Sequence, residues 1–311
     1  MRAAFLVSTV LAVTLPAFIP AWAADLNFED RVRAQEAIER VYYVHQINAA
    51  LPFEQAVPRT LLVRKVTTYL KQSAALERIW KTPVTLAMLD AELERMERQS
   101  RLPDRLRELY RALGDDPVRI RECLARPALA QRVSRSFFDF DQRIHQEARQ
   151  RAEETRERIR SGWNDPSKPG PGRNLVRYVA RDSAEASPPD APRKEVQPSK
   201  GPEPWMLDPE DFAARLEKMS RWNDRISSVE EEPDAFLVRV LLKQGAREIS
   251  LAVYRQPKET WEEWWREVAP ALDERSVQSV GWAASRPHQS DGAGSGATLF
   301  PSLDRGFSGA L

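Results

Sequence analysis

Between Lys81 and Phe138 the sequence spells out where helices start and stop, and this stretch constrains the fold more than any other. Thr82-Pro83 and Asp116-Pro117 each place a capping side chain before a proline. A proline at the first helical position gives up an N–H that has no intrahelical partner there. Gly114 supplies the left-handed residue that ends the helix before it. Leu86, Leu89, Leu93 and Met96 recur at helical spacing, as do Leu106, Leu109, Tyr110 and Leu113. The stretch predicts three short helices, each with one apolar face. Helices this short are marginal alone, so they must pack on one another.

The flanking segments continue the helical pattern. Asn27 is placed to cap a first helix, with Asp30 three residues on and Val32, Ile38, Val41, Tyr42 and Val44 following. Tyr42, Tyr43 and His45 crowd its end, as a binding site or as aromatic packing with polar tips in water. A helix is predicted from Pro58 to Trp80, with Leu62, Val66, Tyr69, Leu70, Leu76, Ile79 and Trp80 as its buried set. A long helix is predicted from Ala128 to Ile159. Its apolar positions (Val133, Phe137, Phe140, Ile144) thin out after His145, which reads as an exposed rod leaving the domain.

These signals carry a resemblance. Ala75-Leu76-Glu77-Arg78-Ile79-Trp80, Pro83-Val84-Thr85, Asp90-Ala91-Glu92-Leu93, the run from Leu106 to Gly114 and that from Ile120 to Leu124 resemble the N-terminal chaperone domain of SurA-type and parvulin-associated periplasmic proteins. The similarity covers residues 28 to 160. It implies a helical cradle that binds unfolded or extended exported polypeptides without hydrolysing or isomerising them. Aromatic and methionine side chains would hold apolar segments with little sequence preference. Tyr42, Tyr69, Trp80, Met88 and Phe137 are the candidate peptide-binding residues on this reading. Core packing accounts for each of them as well.

Composition narrows the function further. The net charge of +1 over 311 residues, with 30% charged, argues against nucleic acid, which demands a clustered excess of Lys and Arg. Arg2, the apolar run from Ala3 to Leu15 and Ala21-Trp22-Ala23 read as a secretory leader over 1–23, cleaved after Ala23. The expected location is therefore the periplasm, without stable membrane insertion. The single cysteine, Cys123, lies among Ile120, Leu124 and Leu129 and reads as a buried thiol.

After a helical domain at 24–162, residues 163–204 are rich in proline and charge. They read as a linker with one short strand at 175–179. Residues 205–272 form a small α/β unit. Asp208-Pro209 starts a helix, Phe236 to Leu241 and Ile249 to Tyr254 alternate as a hairpin, and Thr260-Trp261-Glu262-Glu263 is a capping box. Trp261, Trp264 and Trp265 form a stripe that reads as a ligand platform or, as the favoured reading, as packing that faces the sheet. Glu230-Glu231-Glu232 reads as a calcium site or, without function, as a solvated turn between strands, which is the favoured reading. Residues 273–311, dominated by Gly, Ser and Ala, read as a disordered tail. The predicted class is α+β, mainly α, with a small antiparallel sheet.

Phe212, Leu216, Met219, Ile226-Ser227, Val229, Glu231 and Phe236 to Leu241 resemble the C-terminal half of the parvulin prolyl isomerase domain. A divergent peptidyl-prolyl isomerase is therefore the alternative function. The departures weigh against it. The three histidines, His45, His145 and His288, all lie outside 205–272, and the Gly-Gly-x-Leu-Gly segment of that family is missing. Ser227 and Ser228 are the one polar pair there, at an expected strand edge. No catalytic residue, cofactor or metal ligand is assigned.

Overall fold

In the computed structural model, residues 26–47, 49–181 and 203–272 are described. The leader expected over 1–23, the stretch 182–202 and the tail from 273 lie outside the described residues. Asn27 starts α1 (Phe28–Val44), its side-chain oxygen accepting from the Asp30 N–H at 2.9 Å. After the single turn of α2 (Phe53–Ala56) come α3 (Arg59–Arg78), α4 (Leu86–Gln99) and α5 (Pro103–Ala112). Gly114, at φ +76°, lets the Asp115 N–H return to Tyr110 O at 2.9 Å and closes α5. Asp116 caps α6 (Pro117–Arg119), which runs through a π-helical turn (Ile120–Ala125) into α7 (Arg126–Phe140).

The cap of α4 is not the expected one. Thr85, rather than Thr82, accepts from the Met88 N–H. Val84 is buried between Leu76 and Leu89, and that burial keeps the chain extended through Pro83, so the helix begins later. The apolar stripes pack as predicted. Ala34 and Ile38 of α1 meet Leu106 and Leu109 of α5; Val32 meets Leu62, Val66, Tyr69 and Leu70 of α3. Leu76, Leu89, Leu129 and Ala130 join α3, α4 and α7.

The predicted rod from Ala128 to Ile159 is two helices. α7 stops at Asp141, whose backbone is extended (ψ 105°), and α8 (Gln146–Arg160) follows His145. Nor is α8 free. Ala148 and Ala152 are buried against Phe236, and Ile159 against Val238, Val240 and Tyr254. Small side chains let the helix backbone approach the sheet closely, so a helix with almost no large apolar residues still buries a face.

The sheet has the order β2-β1-β5-β4-β3. β1 (Arg173–Ala180) exceeds the predicted 175–179 and pairs antiparallel with β5 (Glu248–Pro257) from Arg173 to Val179. β4 (Ala235–Gln244) and β5 form the predicted hairpin. β2 (Trp205–Leu207) runs parallel to β1, so the sheet is mixed rather than wholly antiparallel. α8 covers one face. α9 (Pro209–Ser220) covers the other through Phe212 and Met219, against Leu241, Ile249 and Leu251.

Two smaller expectations are corrected. Glu230 and Glu231 are not in a solvated turn but form edge strand β3, where Arg239 holds Glu230 at 2.5 Å and Glu232 at 3.0 Å. Ser227 is fully buried rather than at a wet edge: its hydroxyl accepts from the Arg239 N–H at 2.9 Å and donates to Ser228 O at 2.7 Å.

Candidate functional site: an open groove between α4 and α5

Where α4 turns into α5, a groove of about 270 Å³ opens at the surface. Ser100 accepts from the Leu102 N–H at 3.2 Å, and Pro103 then starts α5. Met96, Leu106 and Leu109 line the groove from the helices, and Tyr42 closes it from α1. Leu102 and Tyr42 remain 64% and 49% exposed, which is unusual for apolar side chains gathered in one concavity. Arg95, Gln99, Ser100 and Arg105 complete the lining, which therefore contains two cations and no carboxylate. Burial pushes the Tyr42 phenol up from its ordinary pKa, and Glu39 adds to the effect. Ligand pockets commonly enclose roughly 300–1,000 Å³, so this groove suits one or two side chains of a longer ligand.

The five sequence candidates do not converge. Tyr42 is in the groove. Tyr69 is in the core, 4% exposed, beside Arg31 and Cys123, and burial pushes its phenol pKa up. Trp80, Met88 and Phe137 lie where α3, α4 and α7 meet. There Trp80 stacks on Phe137 with centroids 5.7 Å apart and touches Trp264 at 5.5 Å. The tryptophan stripe of α10 (Trp261–Val268) faces this helical corner instead of the sheet. Trp261 and Trp264 are buried on Phe138, and Lys71 reaches Ala269 O at 2.7 Å. Phe137 is 36% exposed at the rim of this corner.

Two charged clusters stand apart from the groove. Arg31 and Arg126, both buried, hold Glu122 at 2.8 Å each. Burial alone would raise the Glu122 carboxyl, but the two guanidiniums outweigh it and its pKa is lowered. Lys258, its side chain fully buried, donates to Glu231 at 2.8 Å and to Asp139 O, and lies over the Phe236 ring. His145 donates from Nε2 to Phe138 O at 2.8 Å, and burial lowers its pKa. Each cluster ties together elements distant in sequence, and within the second the buried His145 Nδ1 has no hydrogen-bond partner among the described residues.

Leu102, Arg95 and Arg105 were not singled out by sequence reasoning. An exposed leucine just before a helix-starting proline, flanked by Arg101, was the available signal. Among the described residues, no group of His, Cys, Asp and Glu is arranged to hold a metal ion, and no helix is long and apolar enough to cross a membrane. Comparison with known proteins finds no family model, no curated protein and no solved structure that matches this chain.

Proposed function

We propose that the chain binds unfolded or extended polypeptide segments and performs no chemistry on them. The observation that carries this reading is the groove in which exposed Tyr42 and Leu102 meet a floor of Met96, Leu106 and Leu109. Burying one aliphatic or aromatic side chain there is worth about 1.5–3 kcal/mol. Micromolar affinity needs about 8 kcal/mol, so one anchor gives weak, rapidly reversible binding, and tighter binding needs several anchors on one client. Weak contacts of low selectivity suit a protein that shields many clients briefly. The likeness of residues 28–160 to SurA-type chaperone domains, and the exported setting implied by the expected leader, belong to the same proposal.

The test is an aggregation-suppression assay on a chemically unfolded client, run beside an Ala-Pro peptide isomerisation assay. The chain is expected to slow aggregation and to leave the isomerisation rate unchanged. Leu102→Ser is expected to weaken the suppression. Accelerated isomerisation without suppression would replace this reading with the isomerase.

A further inference from the structure

We infer that the α4–α5 groove selects segments in which apolar side chains are flanked by carboxylates; this rests on the peptide-binding reading above. Between Arg95 and Arg107 the chain carries five arginines against two acids, Glu97 and Asp104, with Glu92, Glu94 and Glu108 just outside that span. Both acids are engaged, Glu97 by the Tyr110 hydroxyl at 3.0 Å and Asp104 by Arg107. Arg98 and Arg101 are exposed and have no carboxylate partner among the described residues. Arg101 sits between two residues of the lining, Ser100 and Leu102.

Of the partnered arginines, Arg95 leaves the same sign of charge. Arg95 shares the buried Glu92 with Arg132, at 2.5 and 2.6 Å, so two cations face one anion. Arg105 shares Glu108 with His45, at 3.3 and 2.7 Å, and its contact to Val41 O is long at 3.5 Å, so its guanidinium keeps donors to spare. An apolar floor under a cationic rim attracts an apolar segment with acidic neighbours and repels one with basic neighbours. Charge at a rim acts mainly on encounter and partner choice and is screened by salt.

The experiment uses three fluorescein-labelled peptides with the same apolar residues and acidic, neutral or basic flanks. Binding to the whole chain is followed by fluorescence anisotropy at low salt and at about 0.5 M salt, where the screening length is only a few ångströms. The acidic peptide is expected to bind about tenfold more tightly than the basic one at low salt, since exposed ion pairs are individually weak and several must add. That ratio should fall toward one at high salt, and also in the Arg98→Gln, Arg101→Gln double variant. Equal binding of all three peptides, weakened in common by Leu102→Ser, would overturn the acidic preference and leave the groove intact. If none of the three binds, or if Leu102→Ser changes nothing, the groove reading fails as well.

Discussion

The Trp80 indole N–H donates to the Asp141 carboxylate at 2.9 Å, across 61 residues of chain, and pins the end of α3 to the break between α7 and α8. The same carboxylate takes the Arg143 backbone N–H at 2.9 Å and its guanidinium at 2.6 and 3.0 Å. These bonds replace the helical ones that would have carried α7 onward, and they turn α8 toward the sheet.

Asp141 should therefore make the fold acid-sensitive over a defined interval. Hydrogen bonds from Arg143 above all, with help from Trp80, hold its pKa at about 2 against an ordinary 3.8. The folded value is the lower one, so the stabilisation is complete above pH 3.8 and is lost as pH falls through about 2. Urea midpoints of the parent and of Asp141→Asn should differ at neutral pH and converge over that interval. Asp141→Ala, which leaves the partly buried indole N–H unpaired, should cost about 1 kcal/mol at neutral pH.

The Arg31–Glu122–Arg126 cluster yields a sharper asymmetry. Removing one member leaves buried charge without compensation, so Glu122→Gln should destabilise by about 3–5 kcal/mol in urea denaturation. Replacing all three together with apolar residues of similar volume should cost far less, because the desolvation penalty disappears with the charges. Cys123, the next residue, serves as a reporter. Burial pushes its thiol up to about 12, so it should react with a disulfide reagent only as fast as the fold opens. Glu122→Gln should speed that reaction.

Much of the helical fold was legible in residues whose local chemistry leaves little choice. Asn27, Asp116, Gly114 and Thr260 perform the capping and terminating roles their positions announce. The alternation from Phe236 to Leu241 and from Ile249 to Tyr254 did give a hairpin. What failed was inference from hydropathy alone. α8 looks like a solvated rod because alanines bury a face without adding hydrophobic bulk. β1 is read as a strand only over 175–179, set in a linker, because its partner, β5, lies about 75 residues downstream, beyond any local pattern. Of the groove, only Tyr42 was nominated. Met96, Leu106 and Leu109 were read as core stripe, and nothing in the helical period marks where a stripe is left uncovered.

The tryptophan stripe offers a test of where α10 docks. Trp264 is buried on Phe138 and Trp80, while Trp265 is half-buried at the edge. Truncating a buried aromatic costs about 3–5 kcal/mol. Trp264→Ala should fall near that range and release α10 from α7, with a red shift in the emission of the remaining tryptophans. Trp265→Ala should cost distinctly less. If the stripe faced the sheet, Phe138→Ala would leave the emission of Trp261 and Trp264 untouched. Packed as they are, with Phe138 5.5 and 5.2 Å from their rings, it should shift to the red.

The approach of α8 to the sheet fixes the remaining prediction. Ala152 has no exposed surface and lies with Ala148 against Phe236, itself 1% exposed. A larger side chain at 152 has no room unless α8 lifts away. Lifting α8 would strain the Arg156 bond to Ser227 O at 2.9 Å and the Gln256 bond to Thr155 at 3.3 Å. Inserting methylenes into packed cores costs about 1–3 kcal/mol, so Ala152→Leu should destabilise by that amount in thermal or urea unfolding. Its neighbour Glu153 is exposed and, among the described residues, pairs with Arg149 at 3.1 Å, so Glu153→Gln should stay within about 0.5 kcal/mol of the parent. On an exposed rod the order would reverse. There leucine at 152 would be harmless, both residues being good helix formers, and the loss of the Glu153–Arg149 pair would be the larger effect. Equal and negligible costs at the two positions would mean that α8 does not rest on the sheet in solution.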